Sequence, residues 1–271
     1  MVATPIGNRE DLSARALSVL READLIACED TRRTGRLLAE HGIHTPMLSY
    51  FEHNEERRAP ELISRLQAGA TVALVTDAGT PGISDPGYRL VRAAHDAGVP
   101  VRAVPGPSAV IAALSIAGLP TDRFVFEGFL PAREGDRRRR LEGLRHEPRT
   151  IVLYETARRL VDSLAAMASI FGADRRGVVV REATKIHEET RSDALGGLLD
   201  YFRTHPPLGE VTLVVAGASE AEAAGGGLDE AAAIAVLREA GLSLKDASAA
   251  VAKLTGARRR EVYQRALSFK H

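Results

Sequence analysis

Twelve residues, Thr76–Gly87 (TDAGTPGISDPG), hold three Gly, two Pro and two Asp, and Ile83 is their only large side chain. They follow the apolar run Ala70–Val75. A loop of that composition offers backbone rather than side chains, because glycine lets the main chain approach a ligand where a Cβ would hold it off. Three more loops follow runs with strand character: Ala3–Asn8 (ATPIGN), Glu29–Thr34 (EDTRRT) and Val104–Ala109 (VPGPSA). Ligands of parallel α/β sheets sit outside the carboxyl ends of the strands, so the coincidence of four such loops points to one site. Neither a G-x-G-x-x-G turn nor a G-x-x-x-x-G-K-[ST] loop occurs, which removes the main support for a nicotinamide enzyme or a P-loop ATPase. No Cys or His cluster has metal-ligand spacing, and His187–Thr190 (HEET) is not a zinc-protease helix motif, so no metal is expected. Ser108 opens an apolar helix, where it can be an N-cap or a ligand contact. Thr31 can likewise cap the helix that carries Arg32, Arg33 and Arg36.

The elements that must hold these loops alternate. Strands are expected at Val2–Thr4, Leu25–Cys28, Met47–Phe51, Val72–Thr76 and Val99–Val104. Helices are expected between them at Leu12–Glu22, Thr34–His41, Pro60–Ala68 and Tyr88–Ala97. That order is the βαβ signature of a largely parallel sheet. The alternation resumes with strands at Phe124–Glu127, Ile151–Tyr154, Val178–Arg181 and Val211–Val215, and helices at Arg138–Arg145, Ala157–Phe171 and Ala194–Phe202. The reading is α/β, with two α/β domains, residues 1–118 and 119–217, meeting where Gly and Pro punctuate the chain near Gly118–Asp122. Residues 218–227 are rich in small residues without an apolar period and read as a linker. Residues 228–271 read as a helical tail with helices at Asp229–Ala240, Lys245–Leu254 and Arg258–Ser268, Ser243 capping the second. The last two have the outline of a helix-turn-helix, which a plain packed hairpin shares.

The chain has 271 residues, 45% of them hydrophobic, enough for a sizeable core. It carries 36 basic and 36 acidic residues, a balance that argues against a polycation coating nucleic acid but leaves room for a local basic patch. Lysine occurs only at 185, 245, 253 and 270; all other basic residues are arginine. Cys28 is the sole cysteine, so no intramolecular disulfide forms. The N-terminus lacks a signal pattern and no apolar run has bilayer length, so a cytoplasmic protein is expected.

The segments VATPIGNREDLSARALSVLREADLIACEDTRRTGRLL, VTDAGTPGISDPGYRLVRAA, VPGPSAVIAAL and YETARRL, with REATKIHEE and GEVTLVV, together resemble one family over about the whole chain. It is the family of small-subunit ribosomal RNA 2′-O-ribose cytidine methyltransferases, within the tetrapyrrole-methylase superfamily. The resemblance implies two α/β domains with a deep cleft between them, a homodimer, and S-adenosylmethionine bound in the cleft largely through backbone groups. It implies donor contacts at Ile6, Gly7, Ala78, Gly79, Thr80, Ile83, Ser108, Ala109, Glu155 and Ala183. The chain departs from the family pattern at Arg9 and Ala183, where Leu is usual, and at Ala157–Arg158, where Pro-His is usual.

The implied reaction is attack of a ribose 2′-hydroxyl on the sulfonium methyl, with 16S rRNA in the small ribosomal subunit as acceptor. A base must take the hydroxyl proton. Glu29, Asp30, Glu182 and Lys185 are candidates, each of them equally readable as a loop-positioning salt bridge. For RNA, Arg32, Arg33 and Arg36 lie beside the expected cleft. Arg137 and Arg138 open the row Arg137–Arg140 at the expected start of a helix, where four consecutive residues point all round and cannot all face one ligand. Two rivals stand beside this reading: a methylase of a tetrapyrrole or modified protein residue, and a non-catalytic RNA-binding assembly factor.

Overall fold

The structure is a computed structural model; it describes residues 1–220, 222, 230–255 and 257–268. The first sheet is built from β1 (Leu25–Cys28), β2 (Met47–Ser49) and β3 (Val72–Val75) in the order β2-β1-β3, all parallel. Alternate residues of β1 face opposite cores. Ile26 and Cys28 pack with Leu20 of α1 (Ala14–Glu22) and Leu38 of α2 (Thr31–Glu40). Leu25 and Ala27 pack with Leu62 of α3 (Glu55–Gln67) and Leu90 of α4 (Tyr88–Asp96). Both faces are covered, which is why these short strands are apolar at every position.

Two expected strands are reduced to isolated bridges. Val2 pairs only with Val104, while the Val2 N–H donates to the Leu74 carbonyl at 2.9 Å. Prolines 5, 100 and 105 remove the backbone donors that a longer ladder needs. Helix α3 starts five residues before Pro60, its expected first residue, behind an acidic first turn of Glu55 and Glu56.

The second sheet has the order β4-β5-β8-β6-β7, where β4 is Phe124–Phe129, β5 Thr150–Thr156, β6 Arg176–Arg181, β7 Glu189–Ala194 and β8 Glu210–Val215. Only β4 and β5 run parallel; the other three pairings are antiparallel, so the alternation of elements does not carry strand direction with it. Strand β7 has no counterpart among the expected strands. It is a polar edge strand, ETRSDA, without the apolar pattern that marks an inner one. One face of this sheet packs Leu153 and Leu213 against Leu164 of α7 (Leu160–Phe171) and Leu198 of α8 (Leu195–Thr204). The other face, Val152, Val178, Val180 and Val214, is covered by Val110, Ala113, Leu114 and Ala117 of α5 (Ala109–Ala117). By its place in the chain, helix α5 falls in the first expected unit. It belongs by packing to the second sheet, because its apolar inner side completes that core.

Helix α6 covers Glu134–Glu142, earlier than expected, so Arg137–Arg140 lie in its middle and last turns. Past β8, Ala218 N–H donates to Glu147 at 2.6 Å and Glu222 pairs with Arg175 at 3.0 Å. The start of the expected linker is therefore docked on the second unit; residues 221 and 223–227 of it lie outside the described residues. Helices Glu230–Glu239, Leu244–Thr255 and Arg259–Ser268 share a core of their own from Ile234, Ala247, Val251, Ala252, Val262 and Ala266. Ser243 caps the middle one, its Oγ accepting from Asp246 N–H at 3.1 Å.

Candidate active site

The carboxyl-end loops of the first sheet are stitched to one another by backbone bonds. Thr4 and Gly79 exchange N–H···O=C bonds at 2.9 and 3.0 Å, and Thr80 Oγ1 donates to the Pro107 carbonyl at 3.1 Å. Gly79 has φ +77°, and a Cβ there would stand 3.5 Å from Ile6. Only glycine adopts that conformation without strain while the backbone pairs with Thr4. These loops face β5, β8 and the loop after β6 across a cavity of about 310 Å³. Ile6, Ala78, Gly79, Thr80, Ile83, Ser108, Ala109, Glu155 and Ala183 all line it. The remaining apolar wall comes from Phe129, Tyr154, Val180 and Val211. The size is at the lower end of small-molecule sites, roughly 300–1,000 Å³, and walls of apolar groups and backbone suit a flat nucleoside.

Gly7, the tenth expected contact, lies in a neighbouring cavity of about 300 Å³ with Arg9, Arg33, Arg36, Asp77 and Lys185. A Cβ on Gly7 would come within 2.5 Å of Lys185 and 2.8 Å of the Ala183 carbonyl. Its smallness lets the two units close, as does the bond from Asn8 N–H to Thr184 Oγ1 at 2.9 Å. Ile6, Ala78 and Glu210 line both cavities and so mark where they adjoin.

Two hydroxyl residues are settled. Asp30, not Thr31, caps α2, accepting from Arg32 N–H at 2.8 Å. Ser108 occupies the N-cap position of α5 but makes no capping bond, and it lines the cavity. The Glu155 carboxylate is turned away, accepting from Ser163 Oγ at 2.6 Å and pairing with Arg159 at 2.7 Å. What it lends the cavity is backbone.

The four candidate bases separate by their partners. Asp30 accepts two bonds from the Arg32 guanidinium, at 3.1 and 2.8 Å, which hold its carboxyl well below the usual range. Lys185 sits between Glu182 at 2.8 Å and Glu210 at 2.9 Å. Burial opposes its charge, but the two carboxylates prevail and raise its pKa, so it is an ammonium and not a base. Burial would also raise Glu182, yet the bonds from Lys185 and the Glu210 N–H outweigh it and hold the carboxyl low. Glu29 alone has a raised pKa, from burial and then the charge of Asp77, but it lines neither cavity. Asp85, which no motif singled out, lines the donor-sized cavity with its pKa pushed up to about 6 by burial and then by Glu29. The Cys28 thiol is fully buried and pushed up to about 11 by that burial, which leaves it unreactive.

Among the basic residues, Arg33 and Arg36 line the second cavity together with Arg9 and Lys185. Arg33 also pairs with Asp77 at 3.2 Å. Arg9, where the family usually has Leu, pairs with Glu40. Arg32 is exposed but outside this cavity and engaged by Asp30. Arg138 is exposed. Arg137 is only 7% exposed and donates to the Ala132 carbonyl, so it cannot reach a nucleic acid: its place on α6 turns it inward beside buried Leu141.

The three non-glycine residues with positive φ among those described are Ser84 (+60°), Glu182 (+50°) and Thr184 (+65°). Ser84 lines the first cavity, and Glu182 and Thr184 flank Ala183, which also lines it. Such conformations cost about 1–3 kcal/mol each and persist where surroundings over-determine them, commonly at functional sites.

Residues 1–198 match the tetrapyrrole (corrin/porphyrin) methylases, and residues 227–270 match the RsmI C-terminal HTH domain. The ribosomal RNA small subunit methyltransferase I of Pseudomonas aeruginosa is 50% identical over 271 residues, 98% of this chain and 95% of its own. Two solved structures share the fold at lower identity. Diphthine synthase has a TM-score of 0.58 and 20% identity over 79% of this chain and 89% of its own. Uroporphyrin-III C-methyltransferase from Thermus thermophilus, complexed with S-adenyl homocysteine, has a TM-score of 0.53 and 20% identity over 79% of this chain and 94% of its own. Those two names differ in acceptor, so the fold by itself does not set the substrate. The match over residues 1–198 and the identity over nearly the full length place this chain in the tetrapyrrole methylase family.

Proposed function

We propose that this protein transfers a methyl group from S-adenosylmethionine to small-subunit ribosomal RNA, at the 2′-hydroxyl of a cytidine ribose in the decoding region of 16S rRNA. The observation that carries the reading is the pair of adjoining cavities. One is apolar and backbone-lined, and the other is framed by Arg9, Arg33, Arg36 and Lys185. The first suits the donor and the second suits a phosphate-bearing acceptor, because guanidinium groups fork onto phosphate oxygens. When bound, the donor supplies a methyl group already activated by a positively charged sulfur. The chain's own share is orientation, worth effective molarities of about 10⁵–10⁸ M when reacting groups are well aligned. Ile6, Ala78–Thr80 and Ser108–Ala109 hold one reactant, and Arg33 and Arg36 hold the other.

The relatives' names supply the ribosomal acceptor, and the second cavity's cations agree with it. A flat macrocycle would ask for an apolar slot in that place. We also read the protein as a homodimer: α5 leaves Ile111 and Ile116 about half exposed on the side away from the second sheet, a face that a second copy would cover. Sedimentation should show a dimer that Ile111→Asp dissociates.

The test of the main reading uses small subunits from a strain lacking the enzyme, with methyl-labelled donor. Label should enter 16S rRNA and survive alkaline hydrolysis within a dinucleotide, because a 2′-O-methyl blocks cleavage at that bond. Label on the base, or none in rRNA, defeats the reading.

A further inference from the structure

Three acidic residues line the apolar cavity: Asp85, Glu155 and Glu210. Glu155 is bound by Arg159 and Ser163, and Glu210 by Lys185. Asp85 has no cationic partner among the described residues. Its place is at the join of the two cavities. It lines the first, while Thr76, which eases its charge, and Asp77 and Glu210, which oppose it, line the second. The loop that carries it is fixed from both sides. Ser84 before it has φ +60° and Gly87 after it φ +140°, and the Gly87 N–H donates to the buried Glu55 carboxylate at 2.9 Å. Tyr154, from β5 across the cavity, is close enough for the Asp85 charge to help raise its own pKa, after burial. A carboxylate without a cationic partner among the described residues is thus held in the first cavity, whose wall shares Ile6, Ala78 and Glu210 with the second.

We propose that Asp85 is the proton acceptor for the 2′-hydroxyl, a role that rests on the methyltransferase reading above. The acceptor oxygen forms the new O–C bond as the C–S bond breaks with its electron pair left on sulfur, and the hydroxyl proton passes to an Asp85 Oδ and from there to water. No oxidant or further co-reactant is needed. Charge supports the assignment: burial first, then Glu29, Asp77 and Glu210, push Asp85 up to about 6, against relief from Thr76. A base of that strength is ionised at neutral pH yet still takes a proton readily. Asp30, Glu182 and Lys185 are tied up in ion pairs, and Glu29 acts only through its charge on Asp85.

The experiment compares wild type, Asp85→Asn and Glu29→Gln. Donor and product binding are measured by calorimetry, turnover on unmethylated small subunits from pH 5 to 8, and the Asp carboxyl ¹³C resonances of the free protein by NMR. Asp85→Asn should bind S-adenosylmethionine within about threefold of wild type and lose roughly 10²–10⁴ in turnover, the span of general base catalysis. The wild-type kcat/KM should rise through an apparent pKa near 6, with one Asp resonance titrating there that Asp85→Asn removes. Glu29→Gln should move that limb to lower pH, because one negative neighbour is gone; this arm holds even if Asp85→Asn fails to fold. Turnover of Asp85→Asn within about threefold of wild type, a flat wild-type profile, or a loss confined to donor affinity overturns the role. A wild type that methylates no rRNA brings down the underlying reading and this role with it. An active wild type with an unimpaired Asp85→Asn overturns this role alone.

Discussion

The two cavities share Ile6, Ala78 and Glu210 but are walled by different materials. The first is built of backbone, small residues and apolar side chains drawn from both sheets. Its selectivity lies in shape, and its one uncompensated charge is Asp85. The second has four cationic residues in its wall, Arg9, Arg33, Arg36 and Lys185, of which Arg9, Arg33 and Lys185 are already paired, with Glu40, Asp77 and Glu210. A shape-based site is written into the sequence as glycines and prolines at fixed places, each with a backbone reason. A charge-based site is not, because arginine also serves in helices, cores and ion pairs. Arg137 is buried, Arg32 is held by Asp30, and Arg33 and Arg36 line a cavity, yet all four look alike in the sequence.

That contrast can be broken most severely at Gly79. A Leu there must adopt φ +77° and place its side chain against Ile6. Donor at a hundred times its dissociation constant should stabilise the wild type by about 2.7 kcal/mol. Gly79→Leu should lose most of that gain while still binding RNA. A thermal melt with and without donor measures it, and an unchanged shift would mean the first cavity is not the donor site.

The converse experiment removes charge and spares shape. Replacing Arg33 and Arg36 by Ala should weaken RNA binding by about 1.5–3 kcal/mol for each charged hydrogen bond lost and leave the donor melt shift intact. It should also flatten the salt dependence by roughly one unit of slope per phosphate contact removed. Arg32→Ala should do less, since its guanidinium is spent on Asp30. Equal losses for Arg32 and Arg36 in a filter-binding titration would place the RNA elsewhere on α2.

Asp85 gives a smaller, pH-dependent effect on the free protein. Its pKa is raised from the ordinary 3.8 to about 6 in the fold. The folded state therefore disfavours its ionised form, and its contribution to stability falls as pH rises from 3.8 to about 6 and stays low above. Asp85→Asn should accordingly melt higher than wild type at pH 8, by about 2–4 °C per kcal/mol recovered, and the gap should close near pH 3.5, below both values. The smallest effect is expected from ending the chain at Gly227. The tail has its own core, so the melting temperature and donor binding of the body should barely move. A large drop in calorimetry would show that the tail is part of the main fold.

Several elements were legible because their signal is local. Apolar runs marked β1, β3 and β8 within a residue or two, Ser243 announced its helix, and three of the four carboxyl-end loops supplied about half of the first cavity wall, the loop Glu29–Thr34 reaching only the second cavity. Each depends on nearest neighbours: strand propensity, an N-cap, a glycine where φ must be positive. Strand β7 was not legible, since a polar edge strand carries no apolar period and exists only because β6 offers it a partner.

What the sequence by itself determined, then, was most of the order of elements, the glycine- and proline-rich loops that wall the first cavity, and the family, all carried by short motifs. Tertiary structure decided that α5 covers the second sheet, that Arg137 turns inward, that Lys185 is clamped between Glu182 and Glu210, and that Asp85 has no cationic partner among the described residues while Glu29, Asp77 and Glu210 act on its charge. The physical reason is the same in each case. Burial and charge depend on which distant residues become neighbours, Glu29, Asp85 and Glu210 among them, and no run of residues in the chain states that.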